Sequence, residues 1–249
     1  MKNKFDELKK QGYLILKGYL TEEVILAVDS LKRFMQSQLG EQVSDEFDEL
    51  VRKIFLGNPQ LRQFVYDNAR SLAYIQGLFR SSKIFALLKE LKVHLPIYTT
   101  FPSVRFDLSD EKERIYLRGP HQDLRSIVSE VAYTIWIGLT EISPERGGVA
   151  LYPGTEKMGL LPHKCYPNNE IDKEIRSDIL KEKVVVNNLR VGDIVIFNSL
   201  MVHESVCGIS NLKCICFQQV SDGAKFNATI SDNRNKIPDF KSKLAESQY

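Results

Sequence analysis

The strongest constraint on the fold is a change of sequence pattern near residue 95, where helical patterns are followed by short β-rich runs separated by turn residues. The runs lie at 97–106, 115–123, 131–139, 148–152, 184–186, 193–197 and 213–220. This succession of short strands and turns is typical of closed or paired antiparallel sheets, and it predicts a double-stranded β-helix, the jelly-roll barrel. A chain of 249 residues is long enough for one such domain with its own core.

The segment before these strands has helical patterns. Thr21 is followed by two glutamates, which suit the first turn of a helix, and apolar residues recur at helical spacing until Gly40. A second helical region spans about 45–92, with breaks near 57–59 and 81–82. We expect these amphipathic helices to brace the sheet. A further short helix is predicted within 169–183, where isoleucines recur four residues apart.

Two histidines and one aspartate have the pattern of a metal site. Side chains alternate along a strand, so His121 and Asp123 point the same way and can reach one ion. The third ligand is expected to be His203, because it lies within 195–205, a segment that opens as an apolar run just after Gly192-Asp193 and so predicts a buried strand entering a site. Two imidazoles and one carboxylate on one side of a metal leave its other positions open, as in a non-haem iron(II) oxygenase.

Further segments accompany these ligands in a fixed order. The segments are Pro120-His121-Gln122-Asp123, Trp136-Ile137-Gly138-Leu139-Thr140-Glu141, Glu145-Arg146-Gly147-Gly148, Leu151-Tyr152-Pro153-Gly154-Thr155, Gly192-Asp193-Ile194-Val195-Ile196-Phe197 and His203-Glu204-Ser205. This order resembles the phytanoyl-CoA dioxygenase family of iron(II)- and 2-oxoglutarate-dependent oxygenases. Residues 12–20 and the helix after them are similar to the family's opening strand and helix. The expected single domain therefore comprises a strand and helices (1–94), a jelly-roll core (95–222) and a polar tail (223–249).

The resemblance implies iron(II), 2-oxoglutarate as cosubstrate and dioxygen. It also implies an oxidoreductase that hydroxylates a small molecule and releases succinate and carbon dioxide. Halogenating relatives replace the ligand carboxylate by a small residue, whereas Asp123 is present here. Hydroxylation, or a related desaturation or ring closure, is therefore expected.

The resemblance also assigns residues to the cosubstrate. The family normally places an arginine on the strand after the second histidine, but this sequence has Lys213 there, one residue early. Lysine is a point charge and cannot make the two-bond clamp of arginine. Ser205 matches a family serine that contacts the cosubstrate, and Gln122 and Trp136 match positions close to it. Trp136 is equally compatible with a role as a barrel core residue.

The candidates for substrate contacts are Arg105, Arg125 and Gln219. Arg125 shares strand parity with the two ligands before it, and Arg105 lies on the preceding strand, although either arginine can equally be a solvated surface residue. A second family arginine is replaced by Gln219. Because both family arginines are missing, an alternative function stays open, that of a jelly-roll binding or regulatory protein that kept the metal ligands and lost turnover.

The composition argues against nucleic acid and membranes as partners. With 34 basic and 32 acidic residues, the net charge of +2 gives no electrostatic footprint for nucleic acid or an anionic membrane. No apolar stretch suits a secretory signal or a membrane span, so we expect a cytoplasmic protein. The cysteines form no zinc pattern and are expected to be packed thiols. The sequence leaves the oligomeric state and the substrate open.

Overall fold

The helices precede most of the sheet strands along the chain. The computed structural model describes residues 3–40, 45–98, 101–108, 119–123, 129, 131–161, 163–164, 170–171, 180, 182–209 and 212–225, with 163–164 and 170–171 as backbone only. The helices are α1 (Lys4–Gln11), α2 (Thr21–Leu39), α3 (Phe47–Gly57), α4 (Pro59–Ala69), α5 (Ala73–Leu78) and α6 (Ser82–Glu90). None of the helices in the described part of the chain has both the length and the apolar character needed to cross a bilayer.

Helix α2 begins and ends at the predicted residues. It buries Val24, Ala27, Leu31 and Met35 along one face, as their spacing of three and four residues requires. The second helical region is divided more finely than predicted, because a further break at 70–72 separates α4 from α5. Helix α1 was not predicted, although Asn3 accepts a hydrogen bond from the Phe5 N–H at its start and Gly12 ends it with a positive φ of 81°.

The strands form two main sheets. They are β1 (Tyr13–Leu16), β2 (Pro96–Ile97), β3 (Ser103–Asp107), β4 (Ala132–Gly138), β5 (Gly147–Tyr152), β6 (His163–Lys164), β7 (Glu170–Ile171), β8 (Val184–Val186), β9 (Ile194–Asn198), β10 (Val202–Cys207) and β11 (Lys213–Asp222). The large sheet has the order β1-β9-β4-β11-β2, and β3 also pairs with β11. The small sheet has the order β10-β5-β8, and β6 pairs with β7 separately.

The two main sheets face each other across a shared core. On β4, Ile135 and Ile137 pack with the helices, whereas Trp136 between them packs with Val149 and Leu151 of the small sheet. Strand β11 alternates in the same way, because Cys214 and Cys216 face the helices and Ile215 faces the small sheet. The helices therefore cover the outer face of the large sheet, and its inner face forms one wall of a jelly roll.

Two predictions of secondary structure need correction. The run 195–205 is not one strand, because residues 199–201 form a turn that separates β9 in the large sheet from β10 in the small sheet. The helix predicted within 169–183 is wrong at its beginning, where Glu170–Ile171 is a strand paired with His163–Lys164. Residues 172–179 of that segment and 226–249 of the predicted tail lie outside the described residues.

The turn before β9 holds the start of α2 against the large sheet. Gly192 has a φ of +88°, and a Cβ there would lie 2.3 Å from the Thr21 Cα, so only glycine fits. The next residue, Asp193, accepts hydrogen bonds from the Gly18 and Arg190 N–H groups and pairs with Lys17 at 2.9 Å. These contacts fix the beginning of β9 beside the start of α2.

Candidate metal centre

The backbones of His121 and His203 are paired directly. The N–H of each residue donates a 3.0 Å hydrogen bond to the carbonyl oxygen of the other, so the short segment at 121 lies beside β10. In such an antiparallel pair the two side chains lie on the same face. The imidazole centroids are accordingly 4.2 Å apart. The pairing between two distant segments therefore sets the distance between the two histidines.

The Asp123 carboxylate is held at the same point by its own contacts. Its N–H donates to the Ser199 carbonyl oxygen at 3.2 Å, which fixes its backbone to the turn between β9 and β10. The Thr134 hydroxyl donates to Oδ2 of Asp123 at 2.7 Å, and it lies 3.2 Å from the Ser199 hydroxyl. The sequence reasoning missed Thr134, which contacts a candidate metal ligand directly.

Both histidines have one ring nitrogen occupied by the backbone. Nδ1 of His121 lies 2.7 Å from the Gly119 carbonyl oxygen, and Nδ1 of His203 lies 3.1 Å from the Met201 carbonyl oxygen. A carbonyl only accepts, so each Nδ1 carries a proton, and in the neutral ring Nε2 offers its lone pair to a metal. Metal-binding histidines commonly have this arrangement, which fixes the tautomer and the ring orientation.

The three predicted ligands converge on one buried point. Nε2 of His121 lies 4.0 Å from Oδ1 of Asp123, and Nε2 of His203 lies 3.6 Å from Oδ2. One ligand atom from each residue lies within 4.8 Å of the other two, and all three residues are buried. Three buried ligands without a cation would leave the carboxylate uncompensated, whereas a divalent ion satisfies the whole set. The donor set fits iron(II) with open positions for further ligands.

Lys213 is fully buried at the beginning of β11. Its Nζ donates to the carbonyl oxygens of Gly148 at 3.0 Å and Val206 at 2.9 Å, and it lies 3.1 Å from Oδ2 of Asp107. Val206 follows Ser205 on β10. The Lys213 ammonium therefore lies beside β10, one residue farther along the strand than Ser205. Solvent exposure, the ordinary state of a lysine, is therefore excluded for Lys213, which is 1% exposed.

The other predicted contact residues lie on the inner faces of the two sheets. Ser205 is opposite Val149, on the same face of β10 as His203. Trp136 is buried in the core between the sheets. Gln219 is opposite Thr134, which places it on the metal side of β11. Arg105 is opposite Ile215, half-buried, with its Cζ 6.0 Å from the Phe217 ring centroid.

Gln122 points away from the metal, as strand parity predicts. Its amide nitrogen donates to the carbonyl oxygens of Gly159 at 2.9 Å and Leu200 at 2.5 Å, and its amide oxygen accepts from the Leu161 N–H at 2.9 Å. The side chain is 2% exposed. In this structure Gln122 ties the loop after β5 to the turn before β10. Arg125, the remaining predicted residue, lies outside the described residues.

The described cysteines do not contribute to the metal centre. Cys207, Cys214 and Cys216 are free thiols, and the last two are buried on the helix side of β11. Burial raises the pKa of the Cys214 thiol, and the neighbouring Cys216, Asp107 and Asp48 raise it further. These two thiols therefore stay protonated and pack as small apolar groups, as expected from the sequence.

Comparison with known proteins agrees with the site. The family model of Phytanoyl-CoA dioxygenase (PhyH) matches residues 112–207, a segment that contains all three candidate metal ligands. Together, this match and the ligand triad define the class, which is that of iron(II)- and 2-oxoglutarate-dependent oxygenases. The resemblance of this segment to the phytanoyl-CoA dioxygenase family, predicted from the sequence, is thereby confirmed.

Several solved structures share the fold at low sequence identity. The epimerase SnoN in complex with Fe³⁺, alpha ketoglutarate and nogalamycin RO is 18% identical, with a TM-score of 0.58 over 88% of this chain and 82% of that one. The non-heme monooxygenase ThoJ is 13% identical, with a TM-score of 0.56 over 87% and 76%. EctD from S. alaskensis, with 2-oxoglutarate and 5-hydroxyectoine, is 13% identical, with a TM-score of 0.54 over 90% and 77%. The predicted jelly-roll fold is thereby confirmed.

Proposed function

We propose that this chain hydroxylates a small-molecule substrate with iron(II), 2-oxoglutarate and dioxygen. One oxygen atom enters the substrate, and the other enters succinate as 2-oxoglutarate loses carbon dioxide. The bound iron would supply the oxidising chemistry, and the protein would supply binding, orientation and protection from water. The observation that carries the proposal is the buried convergence of His121, Asp123 and His203, with both Nδ1 atoms held by backbone carbonyls.

The cosubstrate would lie between the metal ligands and Lys213. The two ends of 2-oxoglutarate need different partners, since its oxo-acid end chelates a metal and its far carboxylate needs a cation. Lys213 is a buried cation on the inner side of the barrel, near the strand of His203. Ser205, on the metal-facing side of β10, can donate a second hydrogen bond to the far carboxylate. Trp136 would limit the pocket beside them.

The substrate would enter on the metal side of the large sheet. Gln219 and Arg105 both face inwards from that sheet, and they offer an amide and a guanidinium for a polar or anionic group. Arg125 is the third proposed substrate contact, and its assignment rests on the sequence alone. The complexes of SnoN and EctD with small organic molecules support a small-molecule substrate for a barrel of this kind.

Turnover without the native substrate tests the activity. The iron-loaded protein is supplied with 2-oxoglutarate in air, and oxygen uptake and succinate are measured together. We expect slow succinate formation that depends on both iron and 2-oxoglutarate, and no succinate from His203→Ala. Oxygen uptake that does not depend on 2-oxoglutarate would instead indicate a metal enzyme that uses no oxo acid.

Binding without turnover is the second candidate function, and the contacts of Lys213 favour it. Two backbone carbonyls and Asp107 already surround its ammonium, so the usual arginine clamp is replaced by a weaker site. In that case 2-oxoglutarate would bind to the metal-loaded protein in air without forming succinate.

The assignment of Lys213 has its own test. Lys213→Ala should abolish measurable 2-oxoglutarate binding, whereas Lys183→Ala, which removes a half-exposed lysine paired with Glu204, should leave it unchanged. Binding that is equal in both variants would reject Lys213 as the cation. Circular dichroism of each variant controls for loss of the fold.

A further inference from the structure

Of the three contacts of the Lys213 ammonium, two are hydrogen bonds and one is only an ion pair. The carbonyls of Gly148 and Val206 accept hydrogen bonds from its Nζ and belong to paired strands, so they cannot move away. Asp107 is only an ion-pair partner at 3.1 Å, and its buried Oδ2 accepts no hydrogen bond from any described residue. An ammonium has three hydrogens, so one of them lacks a well-aligned acceptor among the described residues.

Asp107 therefore compensates the charge of Lys213 without accepting a hydrogen bond from its ammonium. The two residues are directly opposite each other on β3 and β11, and Asp107 is the last residue of its strand. A side chain at a strand end can change rotamer at lower cost than a backbone carbonyl inside a ladder. Of the three contacts, that with Asp107 is the one that an incoming group can replace.

We propose that Asp107 is an internal competitor for the carboxylate end of the cosubstrate and thereby sets its affinity. The inference rests on the proposed role of Lys213. In the free protein Asp107 compensates the buried ammonium, because an unpaired buried charge is strongly destabilising. A ligand carboxylate takes the third hydrogen of the ammonium, and Asp107 then lies beside a second negative charge. The repulsion lowers affinity for dicarboxylate oxo acids and not for oxo acids with an uncharged tail.

The test compares Asp107→Asn with the wild-type protein. Asparagine keeps the size of the side chain and one carbonyl acceptor but removes the charge. The probes are 2-oxoglutarate and 2-oxopentanoate, which has the same chain length without the second carboxylate. Binding is measured anaerobically by calorimetry on the metal-loaded protein. We expect Asp107→Asn to tighten 2-oxoglutarate binding roughly tenfold, as removal of a close like charge predicts, with 2-oxopentanoate changed little.

Asp48→Asn is the matched control. Asp48 lies near the same end of β11, where it and Asp107 both raise the pKa of the Cys214 thiol, but its partner is Arg146 at 3.0 Å. Loss of this carboxylate changes the charge of the region without freeing Lys213. The ratio of the two oxo-acid affinities should therefore stay at the wild-type value.

Each outcome separates the competitor role from the proposed function. If the wild-type protein binds 2-oxoglutarate and Asp107→Asn binds it equally or more weakly, the competitor role is rejected and the proposed function stands. If neither protein binds 2-oxoglutarate, both are rejected. If Asp107→Asn is unfolded when isolated, metal with 2-oxoglutarate should restore the fold, because the ligand carboxylate replaces the missing charge. Failure to restore it overturns the inference.

Discussion

The Thr134 hydroxyl donates a 2.7 Å hydrogen bond to Oδ2 of Asp123, inside the core and 11 residues away along the chain. This contact fixes the rotation of the carboxylate, in which Oδ1 lies towards His121 and Oδ2 towards His203. Groups that orient a metal ligand commonly change metal affinity by roughly 10- to 100-fold when they are removed.

We expect Thr134→Val to weaken iron(II) binding within that range, because valine keeps the shape of threonine and loses the donor. Thr134→Ser should restore most of the affinity. Thr140→Val is the control, since Thr140 hydrogen-bonds the Cys214 backbone and no metal ligand. The measurement is anaerobic titration with iron(II) or cobalt(II). Equal affinity in Thr134→Val and Thr140→Val would show that the hydrogen bond does not position Asp123.

Gln122 provides a prediction about stability. Its amide makes three hydrogen bonds to the backbone, and Gln122→Ala removes all three. We expect the free energy of unfolding of the metal-free protein to fall by about 2 to 3 kcal/mol. Urea unfolding measures this loss.

Gln122→Glu tests the amide oxygen and the amide nitrogen of Gln122 separately. Glutamate keeps an acceptor for the Leu161 N–H but places a carboxylate oxygen against the carbonyls of Gly159 and Leu200. It should therefore be at least as destabilising as alanine. A metal-free Gln122→Ala protein with unchanged stability would mean that this residue does not tie the loop, and would leave only the cosubstrate role predicted from the sequence.

Asp193 makes the fold sensitive to acid. Burial alone would raise the pKa of its carboxyl, but hydrogen bonds from Lys17 and from the Gly18 and Arg190 N–H groups outweigh burial and hold the pKa below its usual value. The folded pKa is thus lower than the unfolded one, near 4. The stabilisation from Asp193 is present above about pH 4 and is lost as pH falls through the folded pKa.

The check for Asp193 is urea unfolding of wild-type protein and Asp193→Asn between neutral and acid pH. The wild-type protein should be the more stable at neutral pH, and the difference should shrink below about pH 4. A difference that is the same at pH 3 and pH 7 would contradict the assigned hydrogen bonds.

Much of the fold could be predicted because the strand pattern is regular. Short, largely apolar runs mark β4 and β11, because the two faces of each strand pack against different buried layers. The histidines and Asp123 could be identified because the spacing of two residues and the ordered neighbouring segments are local signals. The division of 195–205 was missed because the segment opens with the apolar residues 195–197, which indicate a buried strand, while the turn at 199–201 is fixed by contacts with Ala132 and Asp123.

The remaining features depend on register between distant strands. Thr134 reaches Asp123, and Asp107 reaches Lys213, only because β4 and β3 are aligned with their partners as observed. A shift of one residue would turn either side chain to the opposite face, and no local pattern near these residues specifies the pairing. These two contacts, on which the proposed roles of Thr134 and Asp107 rest, were therefore not visible in the sequence.

The most direct test of the account is anaerobic titration of the metal-free protein with iron(II), followed by 2-oxoglutarate. The account predicts binding that saturates at one iron per chain, a weak visible charge-transfer band once 2-oxoglutarate is added, and loss of both in His121→Ala and His203→Ala. Iron binding that is equally tight in wild-type protein and in both histidine variants would contradict it.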